Sequence, residues 1–272
     1  MDERSSTIGL LRDIRVSGDV RLFDQNGETR RLVLALEKLV GSVSTERFAL
    51  IGGLAVMARL GQAHRVTQDI DTAVGQGGPI PSEVGVVVDT ADPAGKMSPD
   101  SRVKVDAIDV GATPAIDLSP EELPDEEFPR AFVLSHRWAF DMASDVTLRC
   151  IHRHDPDTIV ACRVATPSAL VAMKLQSAPR RPPARVDKAA NDYLDLSLLL
   201  SHVGLLPQIV AGLAEAPHGL GAWCAERVRA DFADNAARTT SRIHQSPASR
   251  PVTPDELSQI GRRFLEMFDR HA

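Results

Sequence analysis

The chain has 272 residues, a formal net charge of −6, 43% hydrophobic and 25% charged residues. That balance gives a packed core, and it excludes wholesale disorder and a protein that coats nucleic acid through bulk positive charge. Aromatic residues reach 4%, too few for extended base-stacking platforms, and three cysteines without framework spacing argue against a disulfide scaffold. No run approaches 18 consecutive apolar residues, and Met1-Asp2-Glu3-Arg4 opens the chain without an apolar signal core. The expectation is a cytoplasmic protein with no membrane partner.

Residues 1–28 carry weak structural signals. Leu32, Leu36, Leu39 and Val40 recur at helical spacing and predict a helix over 31–40, ended by Gly41. Phe48-Ala49-Leu50-Ile51 reads as a short buried strand, Gly52-Gly53 as a turn, and 54–60 as a helix stopped by Gly61. Strands are predicted at 69–74, 84–88 and 102–110, then at 131–134, 146–151 and 158–164. After Ala165 the pattern turns helical. Thr166 as cap and Pro167 at the first helical position open a helix to about Ser177. A proline- and arginine-rich linker follows at 178–185, then a helix at 187–201. Thr253-Pro254-Asp255-Glu256 is a capping box for a last helix to about Arg270. The expected class is α+β: a mixed sheet flanked by helices in 1–165, and a mainly helical region, 166–272, that completes a cleft.

The chemistry concentrates in Arg65-Val66-Thr67-Gln68-Asp69-Ile70-Asp71. In a strand, Asp69 and Asp71 point to one face and offer a hard oxygen site for Mg²⁺. Asp106 lies in the alternating run Val103-Lys104-Val105-Asp106-Ala107-Ile108. Paired beside the first strand, it completes three carboxylates of the kind that hold two metal ions for in-line displacement at phosphorus. An Asp-x-Asp pair alone is common in solvated loops. Two further features give it weight. Gly52-Gly53 before a helix lets backbone N–H groups approach a phosphate at the helix N-terminus. Asp106 among apolar neighbours is costly unless paired or metal-bound.

The order strand, Gly-Gly, helix, Asp-x-Asp, strand-borne Asp resembles the nucleotidyltransferase fold of the DNA polymerase β superfamily. Over residues 30–205 it is most similar to the AbiEii branch, which includes the MenT toxins. The resemblance rests on Ile51-Gly52-Gly53-Leu54-Ala55, on Arg65-x-Thr67-x-Asp69-x-Asp71, on Ala165-Thr166-Pro167 through Lys174, and on Lys188 to Asp192 with Asp195-Leu196. The chain departs from that pattern at Gly53, where many relatives carry serine, and at Thr72, where an aliphatic residue is usual. Lys188 and Asp192 are not adjacent, which leaves the roles of Asp192 and Asp195 open.

The resemblance implies a nucleotidyltransferase toxin that transfers NMP from an NTP to the 3′ end of a tRNA, with Mg²⁺ in a two-ion site and Mn²⁺ as a substitute. It implies that Asp69, Asp71 and Asp106 are metal ligands and catalytic, Asp106 also taking the acceptor proton. Lys174 is implied as a catalytic and nucleotide-binding charge, and Gly52, Gly53, Arg65, Thr67 and Asp195 as nucleotide-binding. A cognate antitoxin is the implied partner, and neutralisation by modification of a hydroxyl such as that of Thr67 is a route consistent with an acidic toxin. Transfer to an aminoglycoside-type small molecule or a protein hydroxyl, and an inert nucleotide-binding regulator, stay open as alternatives.

Several features also have plainer readings. Lys174, among Leu170, Val171, Met173 and Leu175, fits a lysine that snorkels out of a core helix, and Asp195 fits a structural salt bridge. Arg180, Arg181, Arg185 and Lys188 fit RNA phosphates or a solvated linker. Cys150, His152, His154 and Cys162 lack zinc-ligand spacing, and strand alternation accounts for them. The acidic stretch 121–127 reads as a solvated loop.

Overall fold

The computed structural model describes residues 19–24, 27–77, 80–86, 101–152, 156–248 and 251–271. Within them the strands are β1 (Asp19–Asp24), β2 (Phe48–Ile51), β3 (Asp69–Val74), β4 (Glu83–Val86), β5 (Ser101–Asp109), β6 (Ser144–His152) and β7 (Thr158–Val164). They form one sheet in the order β1-β6-β7-β2-β3-β5-β4. The pairs β1/β6, β7/β2 and β3/β5 are parallel and the others antiparallel, so the sheet is mixed.

β2 and β3 have the predicted bounds because their signals are unmixed. β2 is a four-residue apolar run buried on both faces, as a central strand requires. β3 alternates around its two aspartates. β4 starts one residue before the predicted bound, and residues 87–88 of that prediction lie outside the described residues. β1 arises in a stretch that gave no strand signal; Leu22 is its one fully buried apolar side chain.

Helix α1 (Glu28–Ser42) packs on β7, β6 and β4 through Leu32, Val33, Leu36 and Leu39. It begins a turn earlier than predicted and runs through Gly41 to an extended Val43. α2 (Gly52–Leu60) is closed by Gly61 at φ 64°, a left-handed conformation that costs glycine least. Arg59 near its end donates from Nε to the Ala165 carbonyl at 2.8 Å and from Nη2 to Ser144 Oγ at 2.8 Å, tying α2 to the end of β7.

The predicted strand at 131–134 is a correction: those residues lie within α3 (Glu127–Asp141). Ala131, Leu134 and Trp138 are buried at i, i+3 and i+7, so the apolar run is part of one side of a helix. α4 (Pro167–Ser177) is opened by Thr166, whose Oγ1 accepts from the Ala169 N–H. It is buried almost all round, because α3, α2 and α5 (Val186–Ser201), with α6 (Leu206–Ala214) and α7 (Leu220–Val228), surround it. The linker at 178–185 holds two short 3-10 turns, Ala178–Arg180 and Pro183–Arg185. After α7 come a π-helical turn (Arg229–Asp234), α8 (Ala236–Ile243) and α9 (Pro254–Phe268), the last with both hydrogen bonds of its capping box in place.

The class is α+β, with every strand drawn from 19–164 and α4–α9 from 167–268. Among the described residues no single helix is long and apolar enough to cross a membrane.

Candidate active site

β3 and β5 run parallel with Asp69 opposite Lys104 and Asp71 opposite Asp106. Side chains two apart share a face, so Asp69, Asp71 and Asp106 meet on one side of the sheet. One carboxylate oxygen from each lies within 4.8 Å of the other two. Burial pushes the Asp71 carboxyl up to about 6, the charge of Asp69 adds to this, and Lys174 partly offsets it. Three carboxylates at this spacing, the central one held against ionisation, form an oxygen donor set that fits a hard divalent cation such as Mg²⁺. Thr72, the departure from an aliphatic residue, donates its hydroxyl to the Asp106 carbonyl at 3.3 Å and helps bind the two strands.

The two glycines are needed for clearance. Gly52 has φ +69°, and a Cβ there would fall 1.9 Å from Asp71 Oδ2. A Cβ on Gly53 would fall 2.5 Å from Arg65 Nη2 and 3.0 Å from Thr67 Oγ1. Serine at 53 would therefore collide with the Arg65 guanidinium as it stands. Together the glycines set the start of α2 directly behind the carboxylates, with its positive end toward them.

Beneath the carboxylates lies a buried ionic network. Asp195 is fully buried and accepts from His64 Nε2, Arg65 Nε and Arg65 Nη2, each at 2.8 Å, and pairs with Lys174 Nζ at 3.0 Å. Burial opposes its charge, yet Lys174 and Arg65 hold it well below the usual carboxylate range. Asp192 accepts from Lys174 Nζ at 2.5 Å, Ser177 Oγ at 3.0 Å and Arg181 Nε at 2.9 Å. Lys174 thus does not snorkel. Burial works against its ammonium, but Asp192 and Asp195 keep it above the ordinary lysine value. Asp192 reaches the cleft wall, whereas Asp195 stays under it.

The cleft over these groups has a volume of about 870 Å³. Asp69, Asp71 and Asp106 line it from the sheet, Arg181, Arg185 and Lys188 from α5 and the turns before it, and Gly53, His64, Arg65, Thr67 and Lys174 complete the lining. Phe23 and Val66, 66% and 50% exposed, are the most exposed large apolar side chains in its lining. The predicted basic cluster divides here: Arg181, Arg185 and Lys188 reach the cleft, while Arg180 lies over the Phe128 ring at 5.3 Å.

Sequence reasoning missed His64 and Lys104. Lys104 had a signal, since it shares the alternating run that placed Asp106. His64 had none, because its partner is 131 residues away. Cys150 and Cys162 lie buried on β6 and β7, their thiols pushed up to about 12 by burial. His154 lies outside the described residues. Among the described residues, the aspartate triad is the group of three or more ligating side chains close enough to share an ion.

A family model for a nucleotidyl transferase matches residues 34–270, from within α1 to past the end of α9. That family is the nucleotidyl transferase AbiEii toxin of type IV toxin–antitoxin systems, and the chain belongs to it. No curated protein and no solved structure matches the chain.

Proposed function

We propose that this chain is a Mg²⁺-dependent nucleotidyl transferase that moves NMP from an NTP to an RNA acceptor, the 3′ end of a tRNA, in the cytoplasm. The observation that carries the reading is the convergence of Asp69, Asp71 and Asp106 within 4.8 Å, in a cleft that also presents Arg181, Arg185 and Lys188.

The three aspartates would hold the metal. Mg²⁺ bound there would supply positive charge against the triphosphate and the departing pyrophosphate and would lower the pKa of the acceptor hydroxyl. A bond forms between the acceptor oxygen and the α-phosphorus, the α–β phosphoanhydride bond breaks, and pyrophosphate leaves. Asp106, 37% exposed against 21% for Asp69, stands nearer solvent and takes the acceptor proton. Gly53 and Thr67 meet phosphate oxygens beside the start of α2. Lys174, fixed by Asp192 and Asp195, is a stationary charge behind Asp71. Asp195 positions Arg65 and Lys174, and Gly52 gives the Asp71 carboxylate its room. Arg181, Arg185 and Lys188 bind acceptor phosphates, a local attraction on a chain of net charge −6. In this reading 1–165 supplies the metal ligands and the contacts of Gly53 and Thr67 to the NTP phosphates, and 166–272 supplies Lys174 and the charges that meet the acceptor.

The test incubates the protein with α-phosphate-labelled NTPs and separate pools of RNA, protein and aminoglycoside. Label should appear on RNA and vanish with EDTA. Label confined to a small molecule or to protein overturns the RNA acceptor, and transfer that persists in EDTA overturns the metal.

A further inference from the structure

Four side chains on β3 and β5 occupy the corners of a square, Asp69 and Asp71 on one strand, Lys104 and Asp106 on the other. Three are carboxylates and the fourth is a lysine. Lys104 pairs with Asp106 two residues along its own strand. From the helical side, Lys188 on α5 brings its Nζ to 3.4 Å from Asp69 Oδ2. Each outer carboxylate therefore has a lysine, and both lysines are exposed, 65% for Lys104 and 41% for Lys188. Asp71, between them and more enclosed, makes no direct ion pair among the described residues.

We propose that Lys104 and Lys188 are exchangeable counter-ions of the carboxylate cluster, each neutralising one outer aspartate until a divalent cation displaces it. The inference rests on the metal-dependent reading above and adds to it: these two lysines set the metal affinity of the site. Exposed lysine–carboxylate pairs change an equilibrium constant by a factor of about five at most, so they yield readily. A divalent cation brings twice the charge to the same field and reaches Asp71, which neither lysine pairs with. Once displaced, the two lysines have different fates. Lys188 lines the cleft and, when released, faces substrate phosphates. Lys104 lies outside the cleft lining and returns to solvent.

The test measures Mn²⁺ binding to the nucleotide-free full-length protein, reading free Mn²⁺ by electron paramagnetic resonance. Lys104→Met should tighten binding about two- to fivefold, by removing a competing positive charge at contact distance. Lys104→Arg should stay near the parent affinity, and Lys188→Met should tighten binding as Lys104→Met does. Unchanged or weaker Mn²⁺ affinity in Lys104→Met, with an unaltered urea midpoint, overturns the counter-ion role. A parent protein that binds Mn²⁺ no better than Asp71→Asn overturns the metal reading itself, and this inference with it.

Discussion

Replacing Asp195 by Asn separates a residue that holds the frame of the site from one that handles substrate. The carboxylate is fully buried and meets His64, Arg65 and Lys174 at 2.8–3.0 Å. An amide keeps the shape but loses the charge, and its NH₂ faces at least one N–H donor. Removing one partner from a buried ion pair costs about 3–5 kcal/mol, against a total stability of about 5–15 kcal/mol. With a urea m-value of about 3 kcal/mol/M, the midpoint should fall by about 1–1.7 M. The pH dependence has a definite sign. Asp195 is held below its unfolded value, so its contribution is complete above about pH 4 and is lost as pH falls through the folded value. Asp195→Asn should lack that acid limb. Urea titrations followed by tryptophan fluorescence at pH 7.5 and at pH 2.5, below the unfolded value, measure both effects. A variant with the parent midpoint but no transferase activity would refute the reasoning, because Asp195 would then act on substrate and not on Arg65 and Lys174.

Three other outcomes are expected. Asp71→Ala should lower label transfer by about a thousandfold or more and abolish growth inhibition on expression, since it removes the central ligand; toxicity that survives the change contradicts an enzymatic mode of action. Gly52→Ala should leave the circular dichroism spectrum close to the parent while weakening Mn²⁺ binding, because its Cβ would take the place of Asp71 Oδ2. Parent Mn²⁺ affinity in that variant would show that the corner has slack. His136 is buried, with Nδ1 2.8 Å from the Phe132 carbonyl, and burial pushes its pKa down to about 4. The unfolded chain takes up that proton near pH 6.5, so stability drains as pH falls from there, by about 2 kcal/mol between pH 7.5 and 5. His136→Leu should lose less than the parent over that interval by that amount, and equal losses in urea midpoint would sink the assignment.

Much of the candidate site was legible because it is local. Asp69 and Asp71 sit two apart in a strand with clean alternation, and Asp106 stands out as a charge in an apolar run. β2, β3 and β7 have the predicted bounds for the same reason. The strand predicted at 131–134 failed because Ala131-Phe132-Val133-Leu134 is apolar at every position, and four such residues carry no period. The helix that contains them starts at Glu127, and its N-cap residue Glu126 makes no side-chain cap. α6, α7 and α8 went unassigned, since none opens with a capping hydrogen bond. The network under the cleft was illegible for another reason. Arg65 and Asp195 are 130 residues apart, and only the fold makes them partners. The motif marked both as functional but gave no sign that they touch.

The pairing of β3 with β5 has a mechanical consequence. Asp71 and Asp106 are in register on hydrogen-bonded strands, so their spacing is set by a backbone ladder in the interior of a seven-stranded sheet. That side of the cleft works as an anvil. The opposite wall is tied to it, because Asp195 on α5 is bonded to His64 and Arg65 and Lys188 on the same helix meets Asp69, so a substrate enters a cleft whose two walls are already joined.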